Sequence, residues 1–131
     1  MSVRFTCDTQ QIPLVLEASW LGDDLNISIS GGDKGHIGAV ALSQARPSLA
    51  DSTSTSASTS VITVCGHKED RIACEIAERV AVEINGVVSV ACGIHVDNAT
   101  RGQIEAILAS TRLLVDNLLE HLKELRISAS P

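Results

Sequence analysis

The sequence predicts an α+β fold: a two-layer sandwich in which a mostly antiparallel, five-stranded sheet carries two helices on one face, in the order ββββαβα. Three observations lead there. Short stretches of alternating apolar and polar residues fill the N-terminal half, as in strands with one buried face. Two longer stretches, over residues 68–85 and 101–125, repeat their apolar residues at helical spacing. Between them lies the run 87–96, apolar on both faces, as expected of a central, covered strand. A chain of 131 residues suits one domain with a moderate core, so residues 1–131 read as a single domain.

The elements follow in chain order. In the first predicted strand, 14–21, Leu14, Leu16, Ala18 and Trp20 share one face. Gly22-Asp23-Asp24 makes a turn. Leu25, Ile27 and Ile29 then alternate with Asn26, Ser28 and Ser30, completing a hairpin with one dry and one wet face. A third strand spans 36–45, interrupted by Gly38 and ended by Pro47. Residues 48–60 are dominated by Ser, Thr and Ala, with no aliphatic after Leu49, and are expected to form a loop. The β-branched run 60–65 is the fourth strand. The first helix carries Ile72, Ile76, Val80 and Ile84, begins with Glu69 and Asp70 at its positive end, and stops at Gly86. The second opens with a Thr100–Gln103 capping box and carries the stripe Ile104, Leu108, Val115, Leu118, Leu122 and Leu125. Within it His121, flanked by Glu120 and Lys123, reads as solvated surface, and residues 127–131 as a flexible tail. Two helices on one face leave the other face of the sheet open, and an open apolar face calls for a partner. A homo-oligomer is expected.

Composition narrows the function. A net charge of −6 and a pI near 5.0 argue against nucleic acid, whose phosphates need a basic face. With one Phe, one Trp and no Tyr there is no platform for stacking bases. No apolar run reaches the roughly 20 residues that span a bilayer, and Met1-Ser2-Val3-Arg4 does not open a signal segment. The expectation is a cytoplasmic protein without membrane or nucleic-acid partners. Cys7, Cys65, Cys74 and Cys92 form no CxxC pair and read as small buried hydrophobes in a reducing compartment. Cys65 and Cys92 stand nearest the histidine motifs and are the thiols to watch.

Those motifs are Gly31-Gly32-Asp33-Lys34-Gly35-His36, Gly66-His67-Lys68-Glu69-Asp70 and Gly93-Ile94-His95-Val96-Asp97, each at the end of a predicted strand. The fourth strand, first helix and fifth strand make a βαβ unit with parallel strands, so Gly66-His67 and Ile94-His95 share an edge of the sheet. If the first four strands form a meander, the Gly31–His36 loop opens at that edge too. Both helices start there, and their free amides, with Lys34, Lys68 and Arg101, favour an anion. The candidate ligand-binding set is Gly31, Gly32, Asp33, His36, Gly66, His67, Lys68 and His95, and His36, His67 and His95 are the candidate ligands of a divalent metal. Each motif also has a plainer reading: a glycine turn, a helix cap at His67, a hydrogen-bonded core histidine at His95. Glu69 and Asp70 read as helix N-terminal charge. The glycine loop is not a P-loop or a dinucleotide fingerprint. The histidines match no standard zinc spacing, and no Ser-His-Asp triad can be assigned.

Taken in order, Ile29-Ser30-Gly31-Gly32-Asp33, His36-Ile37-Gly38, Gly66-His67-Lys68-Glu69-Asp70, Gly93-Ile94-His95-Val96-Asp97 and Gln103-Ile104 resemble the small D subunit of UbiD-type aromatic acid decarboxylase systems such as gallate decarboxylase, a family of prenylated-flavin chaperones. The resemblance spans roughly residues 14–120. It implies a non-catalytic protein that binds prenylated FMN, or FMN, and helps supply it to the decarboxylase. A flavin phosphate would suit the helix starts and Lys68, and a divalent ion would bridge phosphate to histidine or Asp33. Two rivals stand beside this reading: a small enzyme using the histidine edge for acid–base or metal-assisted chemistry, and an interaction subunit without a ligand.

Overall fold

The computed structural model describes residues 2–66 and 69–129. The elements are β1 (Ser2–Thr9), β2 (Ile12–Leu21), β3 (Asp24–Gly32), β4 (Lys34–Pro47), β5 (Thr55–Thr63), α1 (Asp70–Ile84), β6 (Val87–His95) and α2 (Arg101–Ala129). The strands form one six-stranded sheet in the order β1-β2-β3-β6-β4-β5. Only the β3–β6 pair is parallel; the other neighbours are antiparallel. The α+β class and two layers are as expected, with six strands in place of five.

Period-two alternation decides which face is dry. Leu16, Ile29, Cys92 and Ala39 stand side by side across four strands, and all are fully buried. One pleat along, Ala18, Ile27, Val90 and Ala41 repeat the row. Ile76, Ala77 and Val80 of α1 and Leu114, Val115 and Leu118 of α2 complete one core cluster against these rows. The alternate residues Glu17, Ser28, Ala91, Val40 and Ile62 make the opposite face, which no element of the chain covers among the described residues.

Four expectations about the sheet need correction. The N-terminal segment is a strand: Val3, Phe5 and Cys7 pack on the core, half-covered because β1 lies at the sheet edge. Its hairpin turn uses Gln10 and Gln11, both at positive φ, where Asn-Gly or Asp-Gly would have announced the turn. The Ser/Thr-rich stretch is a loop only up to residue 54; β5 begins at Thr55 and pairs with β4 from Pro47↔Thr55 to Ala39↔Thr63. Backbone pairing orders it rather than burial. Ser43 and Thr59 share a 2.9 Å hydrogen bond, and Arg46 Nε donates to Ser58 Oγ at 2.7 Å. The first four predicted strands do not form a meander, because β6 inserts between β3 and β4. β6 is central, as its apolar character requires, but the chain itself covers only one of its faces, and Ser89 and Ala91 stand on the other.

Strand direction nevertheless follows the expected parity. β5 and β6 are each antiparallel to β4, so they run the same way, with β4 between them. β3 is parallel to β6, so the C-terminal ends of β3, β5 and β6 share one edge. The helix ends differ in detail. α1 stops at Asn85, which takes the left-handed cap conformation (φ 53°) expected of the glycine after it. α2 continues to Ala129, through part of the predicted tail. His121 is not solvated surface: its ring meets Phe5 edge-on at 6.1 Å, and its buried Nε2 has no hydrogen-bond partner among the described residues.

Candidate functional site

Glycine shapes the edge where the motifs meet. The β3–β4 connection wraps around the end of β6, with Lys34 and Gly32 both opposite His95. At Gly32 (φ +79°) a Cβ would stand 2.1 Å from the His95 carbonyl oxygen, so only glycine fits. Asp33 then pins the wrap: its backbone N–H donates to the His95 carbonyl at 2.7 Å, and its Oδ2 accepts from the Asp97 N–H at 2.8 Å. Gly31, Gly32 and Asp33 therefore hold the exit of β6 in place.

β4 bulges next. Gly35 pairs with Ile94 and Ala39 with Cys92, so the three residues His36–Gly38 oppose the single Gly93. A bulge of this kind re-aims a side chain. Here it brings His36 to Glu69 at the start of α1, Nε2 to Oε1 3.2 Å, with both side chains only 15–16% exposed. The close approach needs two glycines: a Cβ on Gly93 would meet the His36 carbonyl oxygen at 1.8 Å, and one on Gly38 would meet Glu69 Oε2 at 2.4 Å. His95, on the other side, bonds Asp97 Oδ1 through Nε2 at 2.9 Å. The His36 and His95 rings stand edge to face with centroids 6.3 Å apart. Two of the three expected histidines thus meet. His67 and Lys68 lie outside the described residues. Gly66 (φ +82°) lines the same cavity as His95.

That cavity, of about 310 Å³, opens between the start of α1, the end of β6 and the first half of α2. Ile72, Ile94, Val96, Ile104, Ile107 and Leu108 supply apolar walls, and Glu69 and His95 the polar ones. Cys92 and Thr111, both fully buried, form its deep end. Burial first, and the Glu69 carboxylate second, push the Cys92 thiol up to about 12. It stays protonated and is no nucleophile near neutrality. Cys65 is exposed. The helix starts differ: in α2 the capping box closes on itself, Gln103 N–H to Thr100 Oγ1 at 3.1 Å and Thr100 N–H to Gln103 Oε1 at 2.9 Å, whereas α1 has no side-chain cap among the described residues. Among the described residues no group of three or more His, Cys, Asp or Glu side chains is arranged to hold a metal ion. No helix among them is long and apolar enough to cross a membrane.

Sequence reasoning passed over Glu69 as the partner of His36, and missed the cavity. A signal was present. The apolar stripe of α2 begins at Ile104, before the helix reaches the buried core at Thr111–Leu114, and Ile104 remains 49% exposed. A wider groove, along the outer side of α1 near Thr55–Ala57, is lined by charged side chains, among them Glu75 and Arg79, whose partners stand on α2. Arg112 Nε donates to Glu75 Oε2 at 2.8 Å and holds its carboxyl below the usual range, and Arg79 pairs with Asp116.

Fold and site define a small two-layer α+β protein with an apolar, ligand-sized cavity under its helix starts and two imidazole–carboxylate pairs at the adjoining edge. Residues 8–123 match the family described as the prenylated flavin chaperone LpdD-like domain, and the chain belongs to that family. No curated protein matches the sequence. Among solved structures, a chain of "Crystal Structure of a Novel Chaperone Complex for Yeast 20S Proteasome Assembly" is similar, with a TM-score of 0.55 and 14% identity over 95% of each chain. At that identity the likeness is one of fold.

Proposed function

We propose that this protein is a non-catalytic carrier that binds prenylated FMN and delivers it to a UbiD-type aromatic acid decarboxylase in the cytoplasm. Membership of the prenylated flavin chaperone family supports the ligand class. The observation that carries the reading to this chain's own residues is the cavity. Its walls are apolar, its volume suits part of a ring system, and it lies beside the α1 start, a kind of site that favours a phosphate and that has no side-chain cap among the described residues. The aliphatic walls supply the flat apolar contact that aromatic side chains give in other sites. The proposed ligand set is Gly31, Gly32, Asp33, His36, Gly66, His67, Lys68 and His95, of which Gly66 and His95 line the cavity, and the charge of Lys68 suits a phosphate.

The test is a comparison of FMN and riboflavin, each prenylated and unprenylated, by fluorescence titration. The phosphorylated forms bind more tightly, and Lys68→Ala narrows the preference. Equal binding of both forms, unchanged by Lys68→Ala, removes the anion site. Mixing the loaded protein with apo-decarboxylase then measures transfer of the coloured ligand. One observation favours a second reading, a small acid–base enzyme: the two imidazole–carboxylate pairs beside an apolar cavity. Turnover of any substrate without a partner protein would select it.

The carrier acts as a homo-oligomer in this proposal. Val40, Leu42 and Ile62 are 39–78% exposed on the uncovered sheet face, where a second copy would shield them. Light scattering at roughly tens of micromolar tests this, and a monomer there contradicts it.

A further inference from the structure

We propose that the cavity between α1, β6 and α2 is a subsite for an uncharged ring or branched aliphatic group bearing a hydrogen-bond acceptor, with the Thr111 hydroxyl as donor. Its bearing on flavin rests on the carrier reading above. Thr111 is 0% exposed, and its Oγ1 has no hydrogen-bond partner among the described residues. A threonine inside a helix ordinarily bonds the carbonyl one turn back. One left unsatisfied in the core is destabilising, and satisfying it requires a partner from outside the chain. Thr111 is among the residues that line the cavity, at its buried end.

Size and surroundings set the rest of the chemistry. A cavity of roughly 150 Å³ lined by aliphatic side chains accommodates benzene. This one, at about 310 Å³, has room for a substituted or bicyclic ring. Ile94, Val96, Ile107 and Leu108 offer no polar atom from their side chains, so a charged group would be desolvated without compensation there. The Cys92 thiol, held protonated, adds only a weak donor. Charge belongs at the mouth, where Glu69 and His95 stand. The ligand is therefore amphipathic, with its neutral end inside.

The experiment titrates the wild type, Thr111→Val and Ile104→Trp with cyclohexanone and with benzene, followed by the backbone amide resonances of Ile94 and Leu108. Both probes shift these resonances in the wild type. Thr111→Val keeps shape and removes the donor, so it weakens cyclohexanone roughly 3- to 10-fold and leaves benzene as tight or tighter. Ile104→Trp, at a half-exposed rim position that tolerates substitution, weakens both. No shift with either probe, or equal loss of both in Thr111→Val, overturns the subsite. Titration with prenylated FMN separates the two proposals. If it does not bind the wild type, the carrier reading fails while the cyclohexanone result still decides the subsite. If it binds all three proteins equally, the subsite is not where the flavin sits.

Discussion

Cys92 makes the fold sensitive to alkali, by an amount the structure sets. The thiol lies between Ile29 and Ala39 in the sheet under both helices, and burial raises it from an ordinary 9.0 to about 12. Between those values the unfolded chain has lost the proton and the folded chain keeps it. Fewer protons on the unfolded state mean that stability falls as pH rises, by about 1.4 kcal/mol per unit. The contribution is complete below pH 9, about 1.4 kcal/mol is gone by pH 10, and the ceiling is about 4 kcal/mol near pH 12. The assay is urea unfolding under a phosphine reductant at pH 7 and pH 10, in the wild type and in Cys92→Ala. The alanine leaves a small void whose cost does not depend on pH. Other groups that titrate in this range act on both proteins alike. The stability advantage of the wild type should shrink by about 1.4 kcal/mol between the two pH values. An unchanged advantage would mean that Cys92 titrates equally in both states, and would refute its place in a dry core.

Three further outcomes follow from the same packing. Gly93→Ala drives a Cβ into the His36 carbonyl, a backbone atom, and should cost more than about 3 kcal/mol, whereas Gly38→Ala meets only the flexible end of Glu69 and should cost about 1 kcal/mol while releasing His36 from it; urea midpoints and the His36 ring resonances report both. Replacing the partly buried His121 by leucine removes an unpartnered Nε2 and should stabilise by about 1 kcal/mol, so a lower melting temperature would contradict that packing. The Glu75–Arg112 pair contributes stability above the ordinary carboxylate value of 4.5, because Arg112 depresses the folded-state value; the contribution is lost as pH falls through it. Both side chains are about half exposed, so screening keeps the contribution small; it is measurable as a pH 7 cost of Arg112→Ala that shrinks as the pH falls below the ordinary carboxylate value.

Local pattern determined most of the elements. The alternation of Leu14, Leu16 and Ala18 and of Leu25, Ile27 and Ile29 set two strands and their dry face, because a pleated strand separates its neighbours by side. The capping box at Thr100 marked the start of α2, since its hydrogen bonds span only three residues. Strand parity brought His36 and His95 to one edge, and the ordered motifs Gly-Gly-Asp, His-Ile-Gly and Gly-Ile-His-Val pointed to the family that residues 8–123 match. What tertiary structure alone decided is non-local. The insertion of β6 between β3 and β4 depends on a strand some sixty residues away, as the Ile27↔Val90 pairing records. The first half of β5, Thr55–Thr59, is ordered by its partner strand, so its own Ser/Thr composition could not reveal it, whereas the β-branched end was legible. The bulge that turns His36 toward Glu69 exists only because Gly93 leaves room for it across the ladder. The cavity beneath the two helix starts, with Thr111 at its deep end, is a space left between three elements, and no stretch of sequence encodes a space by itself.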